Sequence, residues 1–210
     1  MLKPRTLLLV LGPGLLFSWF SRSECPNKTE CPLPASSPSS TIILKGKMQA
    51  KAAEAKTFVI KNDFNRSVCF LVDMSAPSGQ NRFFVYDLGK DSSRMGGLVT
   101  HGSCNTDWLQ GRKYGNSVGC GCTSLGKYRI GGSYTGKFGL AFKLYGLDKT
   151  NNNAFNRFVV LHSHSCVPET EVKDDICQSL GCPTVAPGFL LRLKEIINAS
   201  KKPVLLWMYE

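Results

Sequence analysis

Short apolar or alternating runs recur between residues 57 and 162, and clusters of Gly, Asn, Asp and Ser separate them. The runs are Thr57–Lys61, Ser67–Met74, Arg82–Leu88, Met95–His101, Lys127–Ile130, Leu140–Tyr145 and Arg157–His162. Runs of this length, bounded by residues that favour turns, are typical of strands in an antiparallel β-sandwich or barrel. The sequence therefore predicts a mainly β domain over residues 57–210.

Three further elements can be placed on this pattern. The polar stretch GKDSSR between Arg82–Leu88 and Met95–His101 predicts a β-hairpin. Apolar residues at helical spacing predict one C-terminal helix near Pro187–Ala199, which the following Lys-Lys-Pro ends. The run Val204–Tyr209 predicts a last strand, and any other helix is expected to be a short turn.

The first 24 residues have the pattern of an export signal. Lys3 and Arg5 precede an apolar run from Leu7 to Phe20, and the small polar stretch Ser21–Ser23 follows. The run is shorter than the roughly 20 residues that a membrane span needs. We therefore expect residues 1–24 to be a signal peptide, with an uncleaved membrane anchor as the alternative.

Residues 25–56 are rich in Pro, Ser, Lys and Ala. A segment of this composition has too little apolar surface to offset the entropy lost on ordering. It is interpreted as a flexible tether, in which Cys25 and Cys31 could close a small loop.

Cysteine usage agrees with export. The nine cysteines are Cys25, Cys31, Cys69, Cys104, Cys120, Cys122, Cys166, Cys177 and Cys182. Exported chains use cysteines for disulfides, and an odd number leaves at least one thiol unpaired. We expect a periplasmic, cell-envelope or extracellular protein.

The charge favours an anionic partner. The chain has 26 Lys and Arg against 15 Asp and Glu, a net charge of +11. The basic residues are scattered, and the sequence has no signature of a zinc finger, helix-turn-helix or RNA-recognition module. An acidic membrane face or a wall polymer is therefore favoured over nucleic acid.

Residues 159–187 contain the candidate chemistry. The run Arg157–His162 ends at a histidine, and Ser179-Leu180-Gly181-Cys182-Pro183 precedes the predicted helix. A nucleophilic thiolate needs a nearby base, which His162 could supply, and Gly181 allows close approach of a substrate carbonyl. Main-chain N–H groups at Gly181 and Cys182 could stabilise the oxyanion. The alternative from composition alone is a disulfide-bonded Cys182 with a structural His162.

The same segment resembles the L,D-transpeptidase (YkuD-like) family, in which a histidine is followed by S-x-G-C. The upstream stretch GKYRIGGSYTGKFG and the ending S-x-G-C-P are most similar to the murein L,D-transpeptidase catalytic domain branch. The matching upstream positions are Gly126, Tyr128, Gly131, Tyr134, Gly136, Lys137 and Gly139. The resemblance extends from about Phe58 to Tyr209.

This resemblance implies an L,D-transpeptidase-like β-sandwich or barrel and a cysteine acyltransferase. It implies attack by Cys182 on the stem peptide of peptidoglycan, at the amide between the L-centre of a diamino acid and a D-residue. His162 is then the base, Ser163 helps to orient its imidazole, and Ser179 and Gly181 shape the nucleophile turn. A thioester forms, and an amine from a second stem resolves it. No metal or cofactor is implied.

Some alternatives stay open. Water in place of the amine would make the protein an L,D-carboxypeptidase, and a dead site would leave a non-catalytic wall-binding module. Pro183 replaces the Ile-Arg or Val-Asn pairs of many family members, and His162-Ser163 replaces the usual His-Gly of the branch. A zinc site could use His162, His164 and Cys166 with Cys177 and Cys182 downstream and Cys120 and Cys122 upstream. His101, which ends a predicted strand, could line the cleft or be structural.

Overall fold

The computed structural model describes the backbone of residues 38–210 and the side chains from residue 45 onward; the expected signal segment and the start of the expected tether lie outside these residues. In chain order the elements are α1 (Pro38–Lys61), β1 (Val68–Asp73), β2 (Phe83–Asp87), β3 (Ser92–Gly97), β4 (Gly126–Gly136), β5 (Gly139–Gly146), β6 (Val160–Ser163), β7 (Thr184–Val185), α2 (Pro187–Ala199) and β8 (Leu205–Tyr209). The mainly β class is confirmed.

The eight strands form one sheet in the order β3-β2-β1-β8-β4-β5-β6-β7. The expected antiparallel pairing holds except at two places, where β1 pairs with β8 and β6 pairs with β7 in parallel. Parallel neighbours require a long crossover connection. The loop from 164 to 183 supplies it before β7, and much of the intervening chain, including α2, supplies it before β8.

The segment after β3 connects the two ends of this strand order. Val99 forms an antiparallel bridge with Val185, and Thr100 N donates to Thr184 O at 2.9 Å. Ser103 N donates to Ser179 O at 2.8 Å. The chain from β3 therefore continues as a neighbour of β7, which gives the sheet the barrel-like closure that the β pattern predicts. The largest core cluster lies between this sheet and α2.

Helix α1 lies where the sequence predicts a flexible tether followed by a strand. Met48, Ala52, Ala55 and Val59 are buried, and they pack in a second core with side chains of β1, β2 and β8. Their spacing is that of a single helix face. The flexible-tether interpretation is therefore wrong over residues 38–56, and Thr57–Lys61 ends a helix instead of forming a strand. Residues 25–37, with Cys25 and Cys31, lie outside the described residues.

The remaining elements agree with the sequence to within a few residues. The strands β1, β2, β5, β6 and β8 and the helix α2 form where they were predicted, and β2 and β3 form the predicted hairpin. Strand β3 begins inside the expected loop, β4 extends six residues further, and the two-residue β7 was not predicted. No helix within residues 38–210 combines the length and apolar character required to cross a bilayer.

Candidate active site

His162 and Cys182 reach one cavity from neighbouring segments. His162 pairs with Thr184 in the parallel ladder of β6 and β7, so that Cys182, two residues before Thr184, lies beside Val160. Side chains two apart on a strand share a face. The cavity has a volume of about 200 Å³ and is lined by Tyr134, Gly136, Lys137, Phe138, Gly139, Ala141, Phe158, Val160, His162 and Cys182. The fold thus brings together the histidine and the cysteine that the sequence singled out.

The hydrogen bonds of His162 define its tautomer. Nδ1 lies 3.1 Å from the main-chain O of Ser163, which can only accept, so Nδ1 is the protonated nitrogen. Nε2 lies 3.0 Å from Oγ1 of Thr184 and accepts from that hydroxyl. The Ser163 carbonyl, and not its side chain, therefore contacts the ring. In this tautomer Nε2 is the basic nitrogen of the ring, and at rest its lone pair accepts the hydrogen bond from Thr184.

The Cys182 thiol is half-buried and unpaired. Val160 N donates to its Sγ at 3.5 Å, and the thiol points at Phe158 O at 3.7 Å. In this geometry it is not hydrogen-bonded to His162, although both line the same cavity.

Burial determines the charge state of both groups. Desolvation raises the pKa of the Cys182 thiol, while the Val160 N–H and the positive charge of Arg157 act in the opposite direction. Desolvation lowers the pKa of His162; the hydrogen bond to Ser163 opposes this, and nearby His164 adds to it. At neutral pH the site therefore holds a neutral thiol and a neutral imidazole.

Residues 179–182 form a turn that needs its glycine. Ser179 Oγ donates to Cys182 O at 2.7 Å and accepts from Gly181 N at 3.1 Å. Gly181 has φ +105°, and a Cβ there would lie 2.5 Å from the main-chain O of Cys122. Ser179 and Gly181 thus shape the turn. Because the Gly181 N–H is already bonded to Ser179, the N–H of Cys182 is the better placed of the two expected oxyanion donors.

The hairpin of β4 and β5 covers the site. Its tip residue Phe138 stacks on the His162 ring, with centroids 5.3 Å apart and planes 18° apart, and its edge contacts His164 at 5.5 Å. Phe138 is nevertheless about half exposed. The hairpin also supplies Tyr134 and Lys137 to the cavity, two of the positions that carry the family resemblance.

The cysteine pairing excludes two alternatives. Cys104 is bonded to Cys122 and Cys166 to Cys177, whereas Cys69, Cys120 and Cys182 are free. A disulfide-bonded Cys182 is therefore wrong, and so is a zinc site that uses Cys166 or Cys177. No three His, Cys, Asp or Glu side chains of the described chain group as metal ligands. The odd cysteine count predicts at least one unpaired thiol, but residues 38–210 contain three, so the count alone does not identify Cys182 as the nucleophile.

His101 has no part in the cavity. It is buried, and its Nδ1 lies 3.3 Å from Nη2 of the fully buried Arg82. Desolvation, with the charges of Arg82 and Arg112, lowers the pKa of His101 to about 4, so the ring is neutral. The structural role is the one that the geometry supports.

Sequence reasoning missed three side chains at this site. Thr184 contacts the His162 ring, Phe138 stacks on it, and Arg157 lies behind the nucleophile turn. Thr184 was not predictable because it lies in the two-residue β7, which has no periodicity of its own and is a strand only through its pairing with β6. No sequence signal marked Phe138 or Arg157, because their roles depend on how distant loops pack.

Comparisons with known proteins bear on this site. A search of curated proteins found no match. Among solved structures, the crystal structure of a mutant of the helical cell shape determining protein Pgp2 from Campylobacter jejuni aligns with a TM-score of 0.44 and 15% sequence identity. The alignment covers 70% of this chain and 48% of that one. A family model described as the L,D-transpeptidase catalytic domain matches residues 41–209. Because that match spans most of the sequence, the chain belongs to the family of L,D-transpeptidase catalytic domains.

Proposed function

We propose that this protein is a cysteine acyltransferase that acts on stem peptides of peptidoglycan through a thioester at Cys182. One observation carries the proposal: a free thiol and a histidine with a basic Nε2 line the same cavity of a chain in the L,D-transpeptidase family. An inert wall-binding module would not require an unpaired cysteine in the same cavity as a histidine of defined tautomer.

The first half-reaction acylates the enzyme. His162 Nε2 takes the proton of the Cys182 thiol, and the thiolate attacks the carbonyl carbon of the scissile amide. The C–N bond breaks, the imidazolium returns its proton to the leaving amine, and a thioester remains on Cys182. The main-chain N–H of Cys182 is the donor that stabilises the oxyanion of the tetrahedral intermediate.

The second half-reaction releases the acyl group. An amine of a second stem peptide attacks the thioester while His162 accepts its proton, and the Cys182 thiolate leaves and is reprotonated. The product is a cross-link. Water in place of the amine gives a shortened stem, which is the carboxypeptidase outcome.

The other features of the chain agree with a site of action outside the cytoplasm. Two disulfides within residues 38–210 require an oxidising compartment to form. The net charge of +11 favours adsorption to an anionic envelope. We propose that residues 1–24 direct the export or retain the chain at the membrane.

Intact-mass measurement tests the thioester directly. One sample of the native protein is incubated with a carbapenem, which acylates the thiolate in this family, and a separate sample is incubated with a stem tetrapeptide. One adduct of each kind is expected on Cys182, and Cys182→Ala should form neither. Absence of both adducts on a folded wild-type protein would support the non-catalytic alternative.

The identity of the acceptor needs a product assay. The tetrapeptide is supplied with and without an excess of a second stem that carries a free amine, and products are separated by mass. A cross-linked dimer supports the transpeptidase, and a tripeptide that forms equally in both arms supports the carboxypeptidase.

A further inference from the structure

The guanidinium of Arg157 lies behind the nucleophile turn. All of its hydrogen bonds go to main-chain carbonyls and to one hydroxyl group. It donates to Gly115 O at 2.9 Å, to Cys122 O at 2.5 Å and to the hydroxyl of Ser124. Every ion pair in the described chain involves other residues. The side chain is half-buried, so it carries an unneutralised positive charge in a partly desolvated place.

The acceptor at Cys122 connects this arginine to the turn. A Cβ on Gly181 would lie 2.5 Å from Cys122 O and 3.2 Å from Nη2 of Arg157. The turn therefore rests on the same carbonyl that Arg157 binds. Cys122 is in addition linked to Cys104 by a disulfide, which restrains this segment of the chain. Displacement of the guanidinium would free the surface on which Gly181 packs.

The charge of Arg157 also lies close to the nucleophile, since its Nη2 is 3.2 Å from the position of a Cβ on Gly181, the residue before Cys182. Among the influences on the Cys182 pKa, burial raises it, and Arg157 and the Val160 N–H lower it. The other ionisable groups around the thiol are His162 on β6, Lys137 at the hairpin tip, and Tyr134 and the buried Tyr128 on β4. His162 is neutral at rest, and Tyr128 stays protonated because burial raises its pKa. Arg157 is thus the cation behind the thiol, while Lys137 lies at the cavity mouth.

We propose that Arg157 is a positioning residue for the nucleophile, which holds the turn at Gly181 through the Cys122 carbonyl and places a positive charge behind the Cys182 thiolate. This inference rests on the proposed function only in taking Cys182 as the nucleophile. Arg157 thus contributes in two ways. Its planar guanidinium binds three acceptors, and its charge stabilises the thiolate.

Thiol alkylation tests the charge without any peptidoglycan substrate. The full chain is treated with iodoacetamide over a pH series, and adducts on Cys182, Cys120 and Cys69 are mapped by peptide mass. Arg157→Gln should move the midpoint of Cys182 alkylation up by roughly one pH unit, as expected when a nearby opposite charge is removed. Arg129→Gln removes an exposed arginine that stacks on Tyr145 and should leave the midpoint unchanged.

Arg157→Lys distinguishes charge from fork and protects the test against a folding failure. It keeps the charge, so the alkylation midpoint should stay near that of the wild type, while acylation by a carbapenem should slow about tenfold or more as the turn loosens. An unchanged midpoint in a folded Arg157→Gln would overturn the inference. If that variant does not fold, a midpoint in Arg157→Lys raised by roughly one pH unit overturns it instead. Wild-type protein that alkylates as expected but never forms a thioester counts against the proposed function alone.

Discussion

His162 and Cys182 are both uncharged in the resting protein, and this determines how the proposed reaction starts. Many cysteine enzymes hold a preformed thiolate next to an imidazolium. Here burial raises the thiol pKa and lowers the imidazole pKa, so the ion pair is disfavoured at rest. In the proposed reaction, proton transfer therefore accompanies substrate binding and attack, and the neutral form of His162 is the one that acts as the base.

Replacement of either residue should stop turnover without unfolding the domain. His162→Ala removes the base and should lower kcat by about 10²–10⁴-fold, the usual contribution of general base catalysis. Cys182→Ala should leave no thioester at all, and the double variant should be no worse because the two act as one unit. Turnover on a stem tetrapeptide measures this. His164→Ala, at an exposed neighbour, is the control; a larger loss there would show that the base is misassigned.

The sequence singled out His162 and Cys182 because both belong to a short motif. Ser179, Gly181 and Cys182 lie within four positions of the chain, and His162 ends a recognisable strand. Side chains that reach the site from other segments could not be predicted in this way. Arg157 acts through the carbonyl of Cys122, 35 positions away, and no local pattern reveals such a contact.

The β4–β5 hairpin acts on the base through the aromatic ring at its tip. Phe138→Ala uncovers the His162 ring, and because burial lowers the His162 pKa, hydration should raise it. Since the neutral ring is the active form, the acid limb of the kcat/KM profile should move to higher pH, with a loss at mildly acid pH that disappears in alkali. A pH series of kcat/KM measures this.

A matched control exists for this prediction. Phe155 is as exposed as Phe138 and also stacks on a ring, that of Tyr145, outside the cavity. Phe155→Ala should leave the profile unchanged. A loss in Phe138→Ala that is uniform across pH would mean that the hairpin holds substrate and does not shield the base.

Helix α1 should behave as part of the domain. Ala55 is fully buried against the sheet, so Ala55→Leu overpacks this core and should lower the free energy of unfolding by about 1–3 kcal/mol. Ala53 is exposed on the same helix, and Ala53→Leu should be close to neutral. Chemical denaturation compares the two. Equal stability of both variants would show that α1 is a tether and not part of the domain. In that case a chain that begins at Ala55 should also fold.

Most strands were predictable because their apolar runs are long and bounded by turn residues. Helix α1 was not, because its buried face consists largely of Ala52 and Ala55, which carry little hydrophobic signal among many lysines. The short β7 could not be predicted from the sequence for another reason. Two residues define no periodicity, and only pairing with β6 makes them a strand.

At the scale of the whole molecule, the net charge of +11 should matter for wall binding more than for chemistry. Charges more than about 8 Å apart are largely screened at physiological ionic strength. Sedimentation with purified wall should therefore weaken as salt rises, while thioester formation on a soluble tetrapeptide should respond far less, because its contacts are short-range. Wall binding that is indifferent to salt would show that charge does not hold the protein to its substrate.

The position of β8 has a consequence for the order in which this protein matures. Residues 205–209 lie between β1 and β4, in the middle of the sheet, and bond to both. The half of the sheet that ends at β1 and the half that begins at β4 are therefore joined only after β8 has been synthesised. His162 and Cys182 are synthesised earlier. Contacts between such distant segments form slowly. The sheet that carries His162 and Cys182 is thus completed only when its last strand in chain order has paired with both halves.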